Sequence, residues 1–365
     1  MKFKIRKNVL AEALNNVSKA LSSKNIVPIL SGIKFNLTKE KLILTASDND
    51  ITIQTEIEKS EDLEITTPGS IVIKGKYVLD IIRKLDSEFI NIEIIDDYKV
   101  LIYTENSEFN LNGIDAREYP PIDLNLNDDF ISLSVKDFKN IVNQTNYASS
   151  TDESRIVLTG LNLKTNKDML ECSATDSYRL SLKKYKMEKS LTKDVNIIIP
   201  SRNLTELLKL FFDESEEMLN IYIFGNKIIF QSRLINGSYP NTVNLIPNET
   251  LFDLRINKRE FYNMVDRASI LNNDRDNNII TLEINNNLLK ITSMSLEIGK
   301  VEEKLAINCS DNIKISFSSK YMMDALRTIS TEDVIISFVG EIKPILLRES
   351  SNNDLIGLIL PIRTY

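Results

Sequence analysis

The 365-residue chain contains no histidine and no tryptophan, and it has only two cysteines, Cys172 and Cys309. The lack of histidine excludes His-based metal sites, histidine general bases and Ser-His-Asp catalytic machinery. The two cysteines have no partners at metal-ligand spacing, and nothing in the sequence indicates a disulfide framework. We therefore expect a protein of a reducing cytoplasm, with no catalytic residue, no metal site and no cofactor.

Features of secretion and membrane insertion are also missing. The N-terminus begins directly with the first predicted strand, so no signal peptide is predicted. No apolar run approaches the roughly 20 residues that a membrane-spanning helix requires. The contents of 42% hydrophobic and 27% charged residues are ordinary for a soluble globular protein. The length predicts two or three domains.

A 15-residue pattern occurs six times along the chain. Each copy is apolar at offsets 0, 2, 7, 10 and 11, and nearly always at 14, with Thr145 breaking the rule in the third copy. A period of two followed by a 3, 1, 3 spacing predicts a short strand that leads into an amphipathic helix. Such repetition is typical of a chain built from similar units. The copies begin at Phe3, Ile71, Ile131, Ile197, Leu254 and Ile315.

The helix face opposite the apolar stripe carries basic residues in the even-numbered copies. Offsets 5 and 12 fall roughly 160° from the stripe in an α-helix, and in these three copies both are always Lys or Arg. Exposed helix positions are often basic, so one pair would mean nothing, but six of six favours a functional surface. The six residues are Lys76, Arg83, Arg202, Lys209, Lys320 and Arg327.

Charge is segregated between the helices and the rest of the chain. The predicted helical stretches hold 15 basic and 7 acidic residues, whereas the whole chain holds 45 and 52. A local basic surface attracts phosphates even when the net charge is negative. The stretches are 7–21, 74–85, 136–147, 201–212, 257–271 and 318–330.

Short runs rich in β-branched and aromatic residues lie between the helices and predict a meander of strands in each unit. Two units of about 60 residues would pair into one domain, which gives three domains with the odd-numbered copies at their starts. Polar or Pro-containing segments at Asp123–Asp129 and Pro247–Leu251 mark the boundaries. We expect domains at 1–125, 126–249 and 250–365.

Five short motifs are distributed along the chain. They are Val27-Pro28-Ile29-Leu30, Ala174-Thr175-Asp176-Ser177-Tyr178-Arg179-Leu180, Asn236-Gly237-Ser238-Tyr239-Pro240, Arg267-Ala268-Ser269-Ile270-Leu271 and Leu360-Pro361-Ile362-Arg363. In this order and spacing they resemble the motifs of the bacterial β sliding clamps, the beta subunits of DNA polymerase III. The resemblance covers the whole chain.

The resemblance implies an α+β fold of the DNA-clamp type. Three similar domains, each of two βαβββ units, would form a head-to-tail homodimeric ring with helices inside and sheets outside. Such a ring encircles double-stranded DNA and tethers the replicative polymerase, without catalysing a reaction. The six helix bases would then contact phosphates without reading the sequence. Lys24 lies where the family places a further basic DNA contact.

The resemblance also implies a pocket between the second and third domains that binds short linear peptides. Its partners would be the polymerase alpha subunit, the clamp loader, repair polymerases and other proteins that carry a clamp-binding motif. An apolar cleft with a polar rim suits an extended peptide with Leu or Phe anchors. By position, the pocket residues are Leu158, Thr175, Ser177, Tyr178, Arg179, Leu180, Pro240, Asn244, Leu245, Pro344, Leu358, Leu360, Pro361, Ile362 and Arg363.

Three features depart from the family pattern at this pocket. Ser177 and Tyr178 stand where the family often has Gly and His, and Asn244 replaces a frequent base. Thr364 and Tyr365 continue beyond the usual terminus. These differences would change which peptides bind and how tightly. The leucines of the pocket could also be ordinary core residues.

Parts of the sequence are also compatible with two other functions. Asp48 with Asp50, or Asp176 with Arg179, could belong to an acid–base or metal site, but no converging carboxylates or nucleophile–base pair occur at informative spacing. An Asp-Asn-Asp turn is usually a hairpin device. A scaffold that binds proteins without DNA is the other alternative, and the basic pattern of the even-numbered copies counts against it.

Overall fold

The computed structural model of the protein describes residues 1–21, 27–48, 50–121, 131–188, 194–211, 218–220, 228–232, 234–271, 278–295 and 298–363. Lys24, Thr364, Tyr365 and the expected boundary Asp123–Asp129 lie outside these residues. The sequence also predicts a strand at Ile221–Phe224 and a hairpin turn at Gly225–Asn226, and both lie outside the described residues.

Each of the six repeats forms the predicted strand followed by a helix. The helix bounds differ from the predicted stretches by up to four residues, because helix ends fray and the apolar pattern does not fix the terminal residue. The helices are α1 (Lys7–Ser18), α2 (Gly75–Lys84), α3 (Val135–Thr145), α4 (Ser201–Leu208), α5 (Lys258–Ser269) and α6 (Ser319–Thr328).

The strands confirm the predicted meanders wherever the structure describes them. In chain order they are β1 (Lys2–Arg6), β2 (Gly32–Leu37), β3 (Lys41–Ser47), β4 (Ile51–Glu58), β5 (Leu63–Thr67), β6 (Gly69–Lys74), β7 (Phe89–Asp96), β8 (Lys99–Tyr103), β9 (Glu108–Asn112), β10 (Ser132–Ser134), β11 (Gly160–Asn166) and β12 (Met169–Thr175). They continue with β13 (Arg179–Lys186), β14 (Asn196–Pro200), β15 (Met218–Asn220), β16 (Ile228–Ser232), β17 (Phe252–Asn257), β18 (Ile279–Asn285), β19 (Leu288–Ser295), β20 (Gly299–Ala306), β21 (Ile313–Ser318), β22 (Asp333–Phe338), β23 (Ile345–Glu349) and β24 (Leu355–Ile359).

The described strands pair antiparallel throughout. Turns follow from local sequence: Asn286 and Asn287 have φ of 50° and 61°, the left-handed pair that a two-residue hairpin needs. The sheets run β5-β1-β7-β8-β9, β16-β4-β3-β2-β6, β14-β11-β12-β13-β24-β23-β22-β17, β20-β19-β18-β21 and the short pair β10-β15.

Two compact units divide the chain, and they do not follow the three expected domains. The first comprises Met1–Lys136 with Arg202–Arg233, and the second comprises Asp137–Ser201 with Leu234–Tyr365. Strand pairing explains the division. Within the first unit β16 pairs with β4, and within the second β13 pairs with β24. Hydrogen-bonded sheets therefore continue across the expected domain boundaries.

The apolar stripe of each helix is its buried face. On α6, Met322, Ala325 and Leu326 are at most 2% exposed, and they join α5 and the surrounding strands in one core cluster. Thr145, the exception to the repeat, is also fully buried. Its hydroxyl donates to the carbonyl of Ile141 at 2.6 Å, so the polar group is satisfied inside the helix. Ile81, Leu208 and Phe211 are half-buried instead of buried.

Candidate functional site

The six predicted basic residues of the even-numbered repeats are all exposed on the side of the helices away from the core. α2 carries Lys76 and Arg83, and α6 carries Lys320 and Arg327. On α4 the prediction needs a correction, because the helix ends at Leu208. Lys209 lies in the turn that follows, where its N–H donates to the carbonyl of Glu206 at 3.2 Å. Its side chain nonetheless remains exposed.

Several of these cations contact polar side chains. Arg83 donates to the Asn15 side chain at 3.0 Å, and Lys209 pairs with Glu206 at 2.7 Å. Arg202 lies 3.4 Å from the buried carboxylate of Asp48. The contacts of Arg83 and Lys209 are exposed, and contacts of this type contribute about 0–1 kcal/mol, so a phosphate can replace them at little cost.

Arg327 has the most ordered surroundings of the six. It pairs with Asp324 at 3.0 Å and donates to the Tyr262 hydroxyl at 2.7 Å. Its guanidinium also lies 5.5 Å from the centre of the Tyr262 ring, within cation–π distance. The group is thus held at the helix surface while its side chain stays 60% exposed.

At the equivalent positions the odd-numbered helices carry two bases, Lys136 and Arg259, and four residues that are not basic. Asn8 and Asn15 on α1, Asn143 on α3 and Asp266 on α5 are all exposed. The basic surface is therefore concentrated on the even-numbered repeats, as the sequence predicts. Lys24, the seventh predicted DNA contact, lies outside the described residues.

The predicted peptide-pocket residues come from five segments of the second compact unit. β13 pairs with β24 so that Leu180 lies opposite Leu358, and the N–H of Leu360 donates to the Tyr178 carbonyl at 2.9 Å. The hydroxyl of Tyr239 accepts from the Thr175 N–H at 3.0 Å. This bond fixes the segment that leads to Pro240, Asn244 and Leu245.

Burial divides the predicted pocket into a floor and an exposed rim. Leu158, Leu180 and Leu358 are at most 4% exposed, and Leu180 and Leu358 pack with Leu346 and Ile246. These three are thus also core residues. Leu245 and Leu360 are 52% and 38% exposed and supply apolar surface. Buried Thr175, half-buried Pro344, Pro361 and Ile362, and exposed Ser177, Tyr178, Pro240, Asn244 and Arg363 complete the predicted set.

The turn between β12 and β13 is built around one carboxylate. The side chain of Asp176 accepts the N–H groups of Tyr178 at 2.9 Å and Arg179 at 3.0 Å. Ser177, between Asp176 and Tyr178, has a φ of 79°, in the region where glycine is ordinarily found. Arg155 donates to the Ser177 hydroxyl at 3.1 Å and so connects the segment containing Leu158 to the turn.

Arg179 is only 10% exposed in its side chain and points into a network instead of into solvent. It pairs with Asp176 at 3.0 Å and Asp324 at 2.7 Å. Its guanidinium also lies 5.3 Å from the Tyr147 ring centre and 4.5 Å from that of Tyr321. Burial raises the pKa of Tyr147 to about 12, so the phenol stays neutral beside the cation.

Sequence reasoning missed Asp324, although a signal for it exists. At offset 9 the three even-numbered copies carry Asp80, Glu206 and Asp324, all acidic and three residues before a predicted DNA-contacting base. This spacing alone indicates an ordinary i,i+3 ion pair on a helix surface. Only the structure shows that Asp324 also pairs with Arg179 from a different element.

A cavity of about 430 Å³ lies between α3 and α6. Of the predicted site residues, only Arg327 lines it, together with Asp324 and Tyr147. The other wall is polar and includes Asn143 and Gln144. This cavity is therefore separate from the predicted peptide pocket.

The alternative acidic constellations have structural roles. Asp48 accepts the N–H groups of Asp50 at 3.1 Å and Ile51 at 2.8 Å, which is the hairpin device expected of such a turn. Among the described residues, no cluster of three or more Cys, Asp or Glu could hold a metal ion. Nor is any helix in the described part of the chain long and apolar enough to cross a membrane.

Comparison with known families matches three models along the chain. They are the N-terminal, central and C-terminal domains of the DNA polymerase III beta subunit, which match residues 1–123, 132–241 and 243–363. The beta sliding clamp of Staphylococcus epidermidis is 41% identical over the full length of both chains. That of Staphylococcus aureus is 40% identical, again over both full lengths.

Solved structures agree with the sequence comparison. The DNA polymerase sliding clamp of Bacillus subtilis superposes with a TM-score of 0.95 at 38% identity, with both chains fully covered. The DNA polymerase III beta chain of Streptococcus pneumoniae gives a TM-score of 0.93 at 32% identity, also over both full chains. The three-domain α+β clamp fold expected from the sequence is confirmed.

Proposed function

The chain belongs to the DNA polymerase III beta subunit family of sliding clamps, the non-catalytic processivity factors, and on that premise we propose which residues contact DNA. Lys76, Arg83, Arg202, Lys209, Lys320 and Arg327 bind the phosphates of duplex DNA, and Lys24 assists them. The observation that carries the proposal is that all six bases are exposed, five of them on helix faces opposite the buried stripe and Lys209 in the turn after α4. Their contacts are independent of DNA sequence and screened by salt.

Loose phosphate contacts suit a clamp that slides. Bidentate hydrogen bonds to base edges would hold the protein at one site, whereas single cations exchange between neighbouring phosphates. Enclosure by a ring then retains the protein on DNA while the contacts only guide it. We propose a head-to-tail homodimer for this ring, with clamp domains at 1–125, 126–249 and 250–365 in each chain. The protein would act in the cytoplasm, associated with the nucleoid.

Replacement of the six helix bases with Ser tests the DNA contact. Loading and processivity are expected to fall, and the salt dependence of duplex binding to flatten, because fewer counterions are released. A control variant loses the same charge from exposed strand positions and is expected to behave like the wild type. Unchanged processivity in the helix variant would refute the proposal. The control replaces Lys2, Lys4, Lys99, Lys164, Lys186 and Lys314.

We further propose that the cleft formed by β13, β24 and the 239–246 segment binds short peptides of the polymerase alpha subunit, the clamp loader and repair polymerases. The buried floor, with the exposed Leu245 and Leu360 at its rim, supports an extended peptide with Leu or Phe anchors. Ser177, Tyr178 and Asn244 are exposed beside it, and they tune which peptide is preferred.

Truncation of the exposed leucines tests the cleft. Leu245→Ala and Leu360→Ala are each expected to weaken binding of a labelled alpha-subunit peptide by roughly tenfold, the loss typical of an apolar anchor contact. Leu288→Ala is a matched control, since Leu288 on β19 is 39% exposed and Leu360 is 38% exposed. Equal losses in all three variants, measured by fluorescence anisotropy, would exclude a specific cleft.

A further inference from the structure

Asp324 on α6 is shared by the two proposed sites. Its Oδ2 accepts from Arg179 at 2.7 Å, and its Oδ1 accepts from Arg327 at 3.0 Å. Arg179 belongs to the proposed peptide cleft, and Arg327 belongs to the proposed DNA surface. One carboxylate therefore lies between a residue of each site, all three within the second compact unit.

The two arginines differ in their exposure to solvent. Arg179 is 10% exposed, and Asp176 and two tyrosine rings confine it. The Asp176 carboxylate that pairs with its guanidinium also holds the backbone of the turn before β13. The position of Arg179 is therefore tied to that of Tyr178 on the cleft rim. Arg327 is 60% exposed, so a ligand can reach its guanidinium, although Asp324 and the Tyr262 hydroxyl also hold it.

Competition follows from this arrangement. Two guanidinium groups that share one carboxylate repel each other, and each weakens the hold of the carboxylate on the other. A DNA phosphate that draws Arg327 away removes this competition. Asp324 then pairs with Arg179 alone, and the charge-assisted hydrogen bond between them becomes stronger because the carboxylate is no longer shared.

We propose that Asp324 is a positioning residue that couples the DNA surface to the peptide cleft. Contact between duplex phosphates and Arg327 tightens the Asp324–Arg179 pair, orders the turn at Ser177 and Tyr178, and raises the affinity for peptide. By thermodynamic reciprocity, bound peptide raises the affinity for duplex by the same factor. The inference rests on the proposed function, because it requires both sites to bind.

The test measures the dissociation constant of a fluorescein-labelled alpha-subunit peptide with and without a saturating short linear duplex. For the wild type, duplex is expected to lower the constant roughly fivefold, the lower end of typical coupling between sites. Asp324→Asn is expected to bind peptide roughly tenfold more weakly without duplex, because its amide cannot serve two cations. This variant is also expected to show no response to duplex.

Two further variants separate coupling from a general effect of charge or folding. Asp80→Asn removes the same charge at the equivalent exposed position of α2 and is expected to keep the wild-type response. Arg327→Gln changes an exposed side chain and is expected to abolish the response to duplex. A merely structural role for Asp324 would lower peptide affinity but leave the response to duplex intact.

The outcomes are distinct. If the wild type binds peptide and duplex but each without effect on the other, or if Asp324→Asn keeps the full response, the inference is wrong and the proposed function stands. If the wild type binds neither ligand, the proposed function fails and the inference fails with it. A response that is present in the wild type and Asp80→Asn, and lost in the other two variants, supports the coupling.

Discussion

Ser177 has a backbone φ of 79°, where a residue with a Cβ is strained by roughly 1 kcal/mol or more. The sequence already distinguishes this position, because Ser replaces the glycine that is frequent in the family. Ser177→Gly is expected to raise the free energy of unfolding by up to about 1 kcal/mol, since relief of strain exceeds the added entropy of the unfolded chain. Urea denaturation of the full chain measures the difference.

Ser177→Ala separates the backbone effect from the hydroxyl. Alanine keeps the Cβ and loses only the exposed hydrogen bond from Arg155, so it should be no more stable than the wild type. The glycine variant is expected to be the most stable, the wild type intermediate and the alanine variant the least stable. A glycine variant less stable than the alanine variant would mean that the turn is not strained.

Glu349 is a buried carboxylate, 3% exposed. It accepts the N–H of Ser330 at 2.9 Å and the amide of Asn352 at 3.3 Å. Burial alone raises the pKa of Glu349, but the hydrogen bonds from Ser330 and Asn352 and the positive charge of Lys183 together outweigh it and hold the pKa below its ordinary value. Glu349→Gln is expected to cost about 1–3 kcal/mol of stability at neutral pH, as one acceptor of charge-assisted bonds is lost.

The pH dependence of this loss has a definite sign. A carboxylate with a depressed pKa stabilises the fold above the unfolded pKa of about 4.3, and this contribution is lost as the pH falls through the folded value. The difference in unfolding free energy between the wild type and Glu349→Gln should therefore be largest at neutral pH and should decrease in acid. Glu341→Gln, at an exposed position, should show no gap at any pH. A gap that widens in acid would contradict the assignment.

At the scale of the elements, the repeat predicts the helices well because burial and periodicity act together. The stripe locates all six helices, but their ends depend on local hydrogen bonds that no pattern encodes. Lys209 falls just beyond α4 for this reason. Thr145 shows the converse, since its polar hydroxyl occupies an apolar position by bonding within the helix.

Prediction of the site was less complete than prediction of the fold. Exposed bases follow from helical geometry alone, so the predicted DNA surface needs no tertiary information. The network around Arg179 joins β13 to Asp324 on α6 and to Tyr147, which are distant in sequence. Such contacts depend on how the strands align, so a single sequence could not reveal Asp324 as a partner of the cleft.

The uneven charge of the helices gives an element-scale prediction. Asp266 occupies on α5 the exposed offset at which the even-numbered repeats carry Arg83, Lys209 and Arg327. Asp266→Lys should therefore tighten duplex binding and steepen its salt dependence, by about 0.9 in the logarithmic slope for each phosphate gained. Asp311→Lys makes the same change in an exposed loop and should leave the slope nearly unchanged. Titrations of labelled duplex at several salt concentrations would show no difference between the two variants if α5 did not face DNA.

At the scale of the molecule, the repeats pair by one rule that the described chain follows twice. In each case the third strand after an odd-numbered helix pairs with the last described strand of the even-numbered repeat in the next expected domain. β4 pairs in this way with β16, and β13 pairs with β24. The third strand after α5 is β20, and the last strand of the second repeat is β9. Each of them lies at the edge of its sheet. Exposed edges are templates for pairing with another chain. The rule would be completed by β20 of one copy against β9 of the next, which is the head-to-tail contact of the proposed ring.

Phe109 on β9 is the position at which to test this contact, because its ring is 37% exposed at the sheet edge. Phe109→Asp should raise the dimer dissociation constant by roughly tenfold or more, since an aromatic anchor is lost and a charge is placed in the interface. Thr66→Asp, exposed on β5 at the opposite edge of the same sheet, should leave the dimer intact. Sedimentation velocity gives the oligomeric state, and retention on circular plasmid, with release after the plasmid is cut, reports ring closure. If both variants remained dimeric and both stayed on the circle, the ring would have to close through surfaces other than β9.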